Sequence, residues 1–245
     1  MKMQPKRPAL RAVSFSGPLI WISTDSATRS HANRVARPLG ALNQIGIATG
    51  YVAPDSMAAH PTPSAPPACV IIHRSEYRPD LEQLIDRCRR LRVPIGVDFD
   101  DRVFEPDLFE HGYIRFLQSA SQARRMQWRQ RIAAYRELLL NASFGIATTP
   151  VLARAMQRVR GSTWPVLVRP NGFSASHAGR AARLRASPPR PEDGRPRLLY
   201  AAGTATHDAD FATVVEPLVR FFARHPDWML TVIGPVDLAP LAGRV

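Results

Sequence analysis

The sequence predicts an α/β fold built on a parallel sheet, and three observations carry that prediction. Short apolar runs alternate with stretches of helical period from Pro18 to Val168, the order a parallel sheet requires. Several runs are apolar almost without a break, as at Ala68–His73 (Ala-Cys-Val-Ile-Ile-His) and Val93–Val97 (Val-Pro-Ile-Gly-Val). Strands covered on both faces read this way. Thirdly, three carboxylates crowd just past the second of these runs, at Asp98, Asp100 and Asp101. In open parallel sheets ligands bind beyond the carboxyl ends of the strands, so the cluster falls where chemistry is usually done.

The elements follow in order. Pro18–Ser23 reads as the first strand, closed by Thr24 and Asp25 as turn residues. Arg29–Ile45 carries Val35, Leu39, Leu42 and Ile45 near helical spacing, with Pro38 as a kink. Ile47–Ala53 is a second strand, and Pro54–Pro67, with five prolines and no apolar period, is a surface loop. Ala68–His73 is the third strand. The helix Asp80–Leu91 then sets Leu81, Leu84, Ile85, Cys88 and Leu91 on one face. After the strand Val93–Val97 and its acids, a long helix is expected over Tyr113–Leu140, with Trp128, Ile132, Tyr135 and Leu139 on one side and Arg125, Arg129 and Arg136 as an adjoining stripe. Ser143–Ala147, Pro150–Val159 and Pro165–Val168 continue as strand, helix and strand. This alternation predicts a Rossmann-like N-terminal domain over 18–173. The Ala-, Arg-, Pro- and Gly-rich stretch 174–196 reads as a linker. From 197 a second unit opens with strand Arg197–Ala202, helix Asp208–Arg224 and strand Met229–Ile233. One βαβ cannot cover both faces of its own sheet, so 197–245 reads as an incomplete second Rossmann-like domain, the start of a longer one.

Composition narrows the function classes. Apolar residues make up 45% of the 245, which argues against disorder, and no apolar run approaches the roughly 20 residues of a membrane span. A cytoplasmic protein is expected. Cys69 and Cys88 form no Cys-x-x-Cys pair and read as small apolar fillers. The net charge of +13 is unevenly spread: from His111 to Arg190 fourteen arginines face one acid, Glu137. Such a region attracts anions, whether phosphates or anionic lipid. The arginine stripe beside Trp128 and Tyr135 could meet the inner face of a membrane, although a solvated helix face is the plainer reading. No helix-turn-helix, RNP or zinc-finger signature supports nucleic acid as a partner, and no Gly-x-Ser-x-Gly elbow supports a hydrolase.

The acids after Val97 need relief from mutual repulsion, by an arginine, a metal or bound protons. Arg34 and Arg74 each lie beyond an expected strand on that same edge and could pair with these acids or with a phosphate. Gly203-Thr204-Ala205-Thr206-His207-Asp208 links a strand to a helix. There a glycine lets a diphosphate approach the backbone and the helix N-terminus offers free N–H groups. The plain turn, with Thr206 or Asp208 as cap, explains the same residues. His207 sits on that loop, and Asp210 complements the helix dipole. Asn171-Gly172 reads as a turn at the domain boundary.

With these stretches in view, the chain resembles the bacterial GT-B glycosyltransferases, the retaining nucleotide-sugar enzymes of polysaccharide and O-antigen assembly. Arg34–Leu42 resembles the first helix of their acceptor domain. Val70–Arg74 followed by Pro94–Asp101 is similar to a strand–helix–strand ending in an Asp-Asp pair. Ala147–Leu152 with Arg169-Pro170-Asn171-Gly172 is similar to the last acceptor-domain segment and hinge, and Tyr200–Phe211 with Leu230–Gly234 to the opening of the donor domain. The resemblance implies transfer of a sugar from a nucleotide diphosphate to a hydroxyl of a glycan or lipid-linked acceptor, with no cofactor and no metal. It places Gly203, Thr204 and Asp210 toward the donor, Asn171 and Gly172 at the hinge, and Arg34, Arg74, Asp100 and Asp101 on the acceptor side. Catalytic roles fall to Asp100, Asp101 and His207. The family's glutamate pair for the nucleotide ribose has no counterpart through Val245, so the chain alone is expected to be a weak or inactive transferase.

Two other readings compete. Asp98-Phe99-Asp100 is an Asp-x-Asp, the metal-binding motif of GT-A transferases, and hard cations favour such oxygens. A non-catalytic GT-B-like module binding an anionic partner would carry the same charge pattern.

Overall fold

The computed structural model describes residues 17–23, 29–52, 66–110, 117–118, 120–187, 193–203 and 208–244. Thr24 and Asp25, most of the proline-rich stretch after Pro54, and both Thr204 and His207 lie outside the described residues. The chain forms two compact units, one of Met1–Pro106 with Arg129–Gly172, the other of Asp107–Trp128 with Phe173–Val245.

The first unit is a six-stranded sheet in the order β2-β1-β3-β4-β5-β6. Its strands are β1 (Leu19–Ser23), β2 (Thr49–Val52), β3 (Cys69–His73), β4 (Ile95–Phe99), β5 (Phe144–Ala147) and β6 (Val166–Val168). Every pairing is parallel. The order makes β1 a turning point, since the chain leaves it toward β2 and then crosses back to its other side as β3. Between β1 and β3 lies the switch point at which open α/β sheets form their crevice.

The period of two along each strand sorts the core onto the two faces. Leu19, Trp21, Cys69 and Ile71 pack with Val35 on one side. Ile22, Val70, Ile72, Ile95, Val97 and Phe99 pack with Leu81, Ile85, Tyr135, Leu138 and Leu139 on the other. The helices behind these contacts are α3 (Pro79–Arg90), part of α5 (Gln122–Asn141) and α6 (Pro150–Arg160). A short α4 (Asp107–Glu110) precedes α5. Helix α3 has Pro79 in its first turn with Asp80 and Glu82, and Arg87, Arg89 and Arg90 in its last, each complementing the helix dipole. Thr149 caps α6 by accepting from the Leu152 N–H at 3.1 Å. Two glycines make the sheet fit its cover. A Cβ at Gly96 would lie 2.4 Å from Phe144 Cζ, and one at Gly145 2.7 Å from Met156 Cε and 2.8 Å from Trp164.

The segment after β1 departs from one kinked helix. A turn of α-helix, α1 (Arg29–His31), passes through a π-helical turn, Ala32–Ala36, into α2 (Arg37–Gln44). The wide turn closes with the Arg37 N–H on the Ala32 carbonyl. Pro38 has no N–H to give the carbonyl four residues back, at Arg34. That carbonyl accepts instead from Arg169 at 2.9 Å.

The second unit pairs β7 (Arg197–Ala201) with β8 (Met229–Ile233) in parallel. Helix α8 (Asp208–Arg224) covers one face through Phe211 and Val215, packed with Tyr200, Leu230 and Leu241. On the strands Leu199 and Ile233 remain 64% and 56% exposed. Gly234 turns the chain at φ 94°, where a Cβ would strike the Ala202 carbonyl oxygen. The stretch 174–196 is not linker throughout. Helix α7 (Ala175–Ala186) occupies its first half, with the Ser174 hydroxyl accepting from the His177 N–H.

Candidate functional site at the carboxyl edge of the sheet

The strand carrying the acids runs two residues further than its apolar run, because Asp98 and Phe99 both pair in the ladder. The extension decides where the carboxylates point. Phe99 joins the core on the face of Ile95 and Val97, so Asp98 faces the opposite side, where the π-turn and α2 pack. Asp98 and Arg34 are both fully buried. Arg34 donates from Nε at 2.8 Å and from one terminal nitrogen at 2.6 Å to the same Asp98 oxygen. Arg169 donates to the other oxygen at 2.8 Å. The second terminal nitrogen of Arg34 reaches the Arg169 carbonyl at 2.5 Å and Asn171 Oδ1 at 3.4 Å. Burial pushes the Asp98 carboxyl upward and Arg169 downward, while each draws the other toward its charged form. We read the trio as ionised, since two guanidiniums face one carboxylate.

A second polar group stands at the switch point. Ser23 ends β1 and His73 ends β3, paired in register. The Ser23 hydroxyl meets His73 Nδ1 at 3.0 Å, and the Ser30 hydroxyl of α1 meets Nε2 at 2.9 Å. Ser30 donates to Asp100 Oδ2 at 2.5 Å, and Arg74 donates to Oδ1 at 3.1 Å. Arg74 also lies 3.6 Å from Asp101. Its backbone takes φ 40°, in the left-handed region, with its N–H on the Asp98 carbonyl. A non-glycine residue there is strained, and the strain sits at the tip of β3 where its guanidinium meets the acids. Burial lowers His73 to about 4, against the raising effect of Asp100 and with the lowering effects of Arg74, Arg34 and His31. The ring is therefore neutral at physiological pH.

The residues expected on the acceptor side thus come together with differing exposure. Asp100 and Arg74 are partly open, with side chains 16% and 33% exposed, and Asp101 is open. Arg34 does not line a cleft. It is a fully buried strut that holds Asp98 and the segment after β6. Asn171 and Gly172 adjoin it, and the Gly172 carbonyl accepts from Arg37 at 3.0 Å. A Cβ at Gly172 would meet nothing within 4 Å, so no close approach demands a glycine there. In the second unit Gly203 follows β7 in open space, and Asp210 lies exposed in the first turn of α8 with its carbonyl accepting from Thr213 at 2.6 Å. Ser23, Ser30 and His73 escaped the sequence reading as site residues, because their partners lie 43 to 70 residues away. Arg169 stood there only in the hinge stretch, since Asp98 lies 71 residues away.

The Asp-x-Asp does not offer a pair of free carboxylates. Both Asp98 oxygens carry guanidinium donors, and among the described residues no group of three or more His, Cys, Asp or Glu is placed to hold a metal ion. Nor is any helix among them long and apolar enough to cross a membrane.

The sequence matches no family model and no curated protein. Solved structures give distant likenesses. A UDP-glucosyltransferase from Polygonum tinctorium aligns over 91% of this chain and 72% of its own, with 12% identity and a TM-score of 0.42. UDP-GlcNAc 2-epimerase from Neisseria meningitidis aligns over 91% and 67%, with 13% identity and 0.44. UGT2 from Phytolacca americana aligns over 93% and 73%, with 11% identity and 0.42. At these values the likeness assigns no activity to the chain.

Proposed function

We propose that the protein is a nucleotide-sugar-dependent glycosyltransferase of GT-B type, with its acceptor at the carboxyl edge of the first sheet. The observation that carries this reading is the gathering of Asp100, Arg74, His73 and Ser30 at the β1/β3 switch point, the crevice where such sheets bind ligands. The sequence resemblance supports the same assignment. In the reaction the acceptor oxygen bonds to the anomeric carbon, the bond from that carbon to the diphosphate breaks, and the nucleoside diphosphate leaves. Asp100, the partly open carboxylate, accepts the acceptor's proton. Arg74 holds Asp100 and faces incoming anionic groups. Gly203, Thr204 and Asp210 are assigned to the donor, and His207 to the same loop.

The acceptor is assigned as a glycan or lipid-linked sugar in polysaccharide or glycoconjugate assembly. Arg125 and Arg129 on α5, both exposed, would then meet anionic lipid, which co-sedimentation with phosphatidylglycerol vesicles reads directly.

Asp100→Asn should lower transfer about a hundredfold, the usual worth of a positioned base, and leave the melting temperature nearly unchanged. Chelator should leave transfer intact. Unaltered transfer by the variant would remove Asp100 from the mechanism.

A further inference from the structure

We propose that Ser23, His73 and Ser30 form a polarised hydrogen-bond chain that fixes Asp100 as an oriented carboxylate, which makes His73 a positioning residue of the site. The chain stands on geometry alone. Only the task given to Asp100 rests on the transferase reading above.

The polarity follows from which groups can donate. An ionised carboxylate only accepts, so the Ser30 proton lies on Asp100 Oδ2. With its proton so committed, the Ser30 oxygen must accept from His73, which places the ring proton on Nε2. Nδ1 then carries a lone pair, and the 3.0 Å contact is a hydrogen bond only if the Ser23 hydroxyl donates to it. Every donor in the row therefore points toward Asp100. The other oxygen of that carboxylate is held by Arg74, so the plane of the group is fixed from both sides. Ser23 and His73 are each 1% exposed, so water does not compete for these bonds, and in such surroundings chained hydrogen bonds polarise one another. The groups facing the ring are Asp100, Arg74, Arg34 and His31. Burial first, and then the three basic groups among the four, keep the imidazole neutral and leave it one proton to place.

A histidine that merely filled space between strand ends would have no reason to prefer one tautomer in response to Asp100. The polarised chain does, and that difference is measurable. In Asp100→Asn the side-chain oxygen is drawn to Arg74 and the amide nitrogen turns to Ser30 as a donor. The Ser30 proton must then swing to His73 Nε2, and the ring proton must move to Nδ1.

The experiment is nitrogen NMR of the full chain with ring-labelled histidine, wild type and Asp100→Asn, alongside release of nucleoside diphosphate from UDP- and GDP-sugars. The wild type should show His73 protonated at Nε2, and the variant should exchange the protonated and unprotonated ring resonances. Ser30→Ala, which cuts the chain without touching the ring, should give a mixture of tautomers in an otherwise native spectrum. In turnover, Ser30→Ala should lower kcat about tenfold with KM within twofold. A wild-type ring protonated at Nδ1, or the same tautomer in wild type and Asp100→Asn, would overturn the chain. A tautomer exchange with turnover unaltered in both Ser30→Ala and Asp100→Asn would leave the chain standing and sink the transferase reading instead.

Discussion

Removing the Asp98 carboxylate tests the most heavily buried part of the site. Asp98 receives three charge-assisted hydrogen bonds, two from Arg34 and one from Arg169, and neither it nor Arg34 touches solvent. Asp98→Leu would strand the Arg34 guanidinium in the core, and breaking a buried pair by removing one partner costs about 3–5 kcal/mol. Arg169, 26% exposed, can turn toward water and adds less. Urea unfolding followed by circular dichroism would read the loss as a lower midpoint at unchanged slope. The double variant Arg34→Leu/Asp98→Leu removes both charges, so it should recover about 1–3 kcal/mol relative to Asp98→Leu. A single-variant loss below about 1 kcal/mol, or a double variant less stable than Asp98→Leu, would refute the claim that these two charges hold the edge together.

Two further outcomes follow from the same geometry. His73 sits at about 4 when folded against 6.5 when free, so the unfolded chain binds a proton that the folded one refuses. Stability is lost as pH falls through that window, by about 2 kcal/mol between roughly pH 7 and 5. His73→Gln should flatten this part of the stability profile, and an unchanged slope would contradict it. Gly145→Ala drives a methyl to within 3 Å of Met156 and Trp164. It should cost about 1–3 kcal/mol, read as a lower melting temperature, whereas a neutral result would mean that α6 shifts freely.

Much of the fold was legible because fully buried strands announce themselves as unbroken apolar runs. The third and fifth strands and the α3 and α8 helices fall within two residues of their expected bounds. The fourth strand ran on because Asp98, a charged residue, ends a hydrophobic run but not a hydrogen-bonded ladder. That extension buries Asp98 in the ladder against Arg34, whereas Asp100 lies past the strand's end and stays partly open. Helix α7 leaves no mark in the sequence pattern, because none of its residues is buried and no apolar stripe runs along it. Ser174, its N-cap, was the available signal. Of the site, the acids and Arg74 were readable as a local cluster. His73 and Ser30 were not, since only the crossover from β1 to β3 brings them together. The Arg169–Asp98 pair was hidden too, since only the β4-β5-β6 order brings the residue after β6 back to β4.

The central claim is that the carboxyl edge of the first sheet serves sugar transfer through Asp100. The most direct measurement is the release of nucleoside diphosphate from a panel of UDP- and GDP-sugars with glycan and lipid-linked acceptors, in wild type and Asp100→Asn. The account predicts release that depends on both donor and acceptor, even at a low rate, and falls about a hundredfold in the variant. Release that does not require donor and acceptor together, or equal release by the variant, would contradict it.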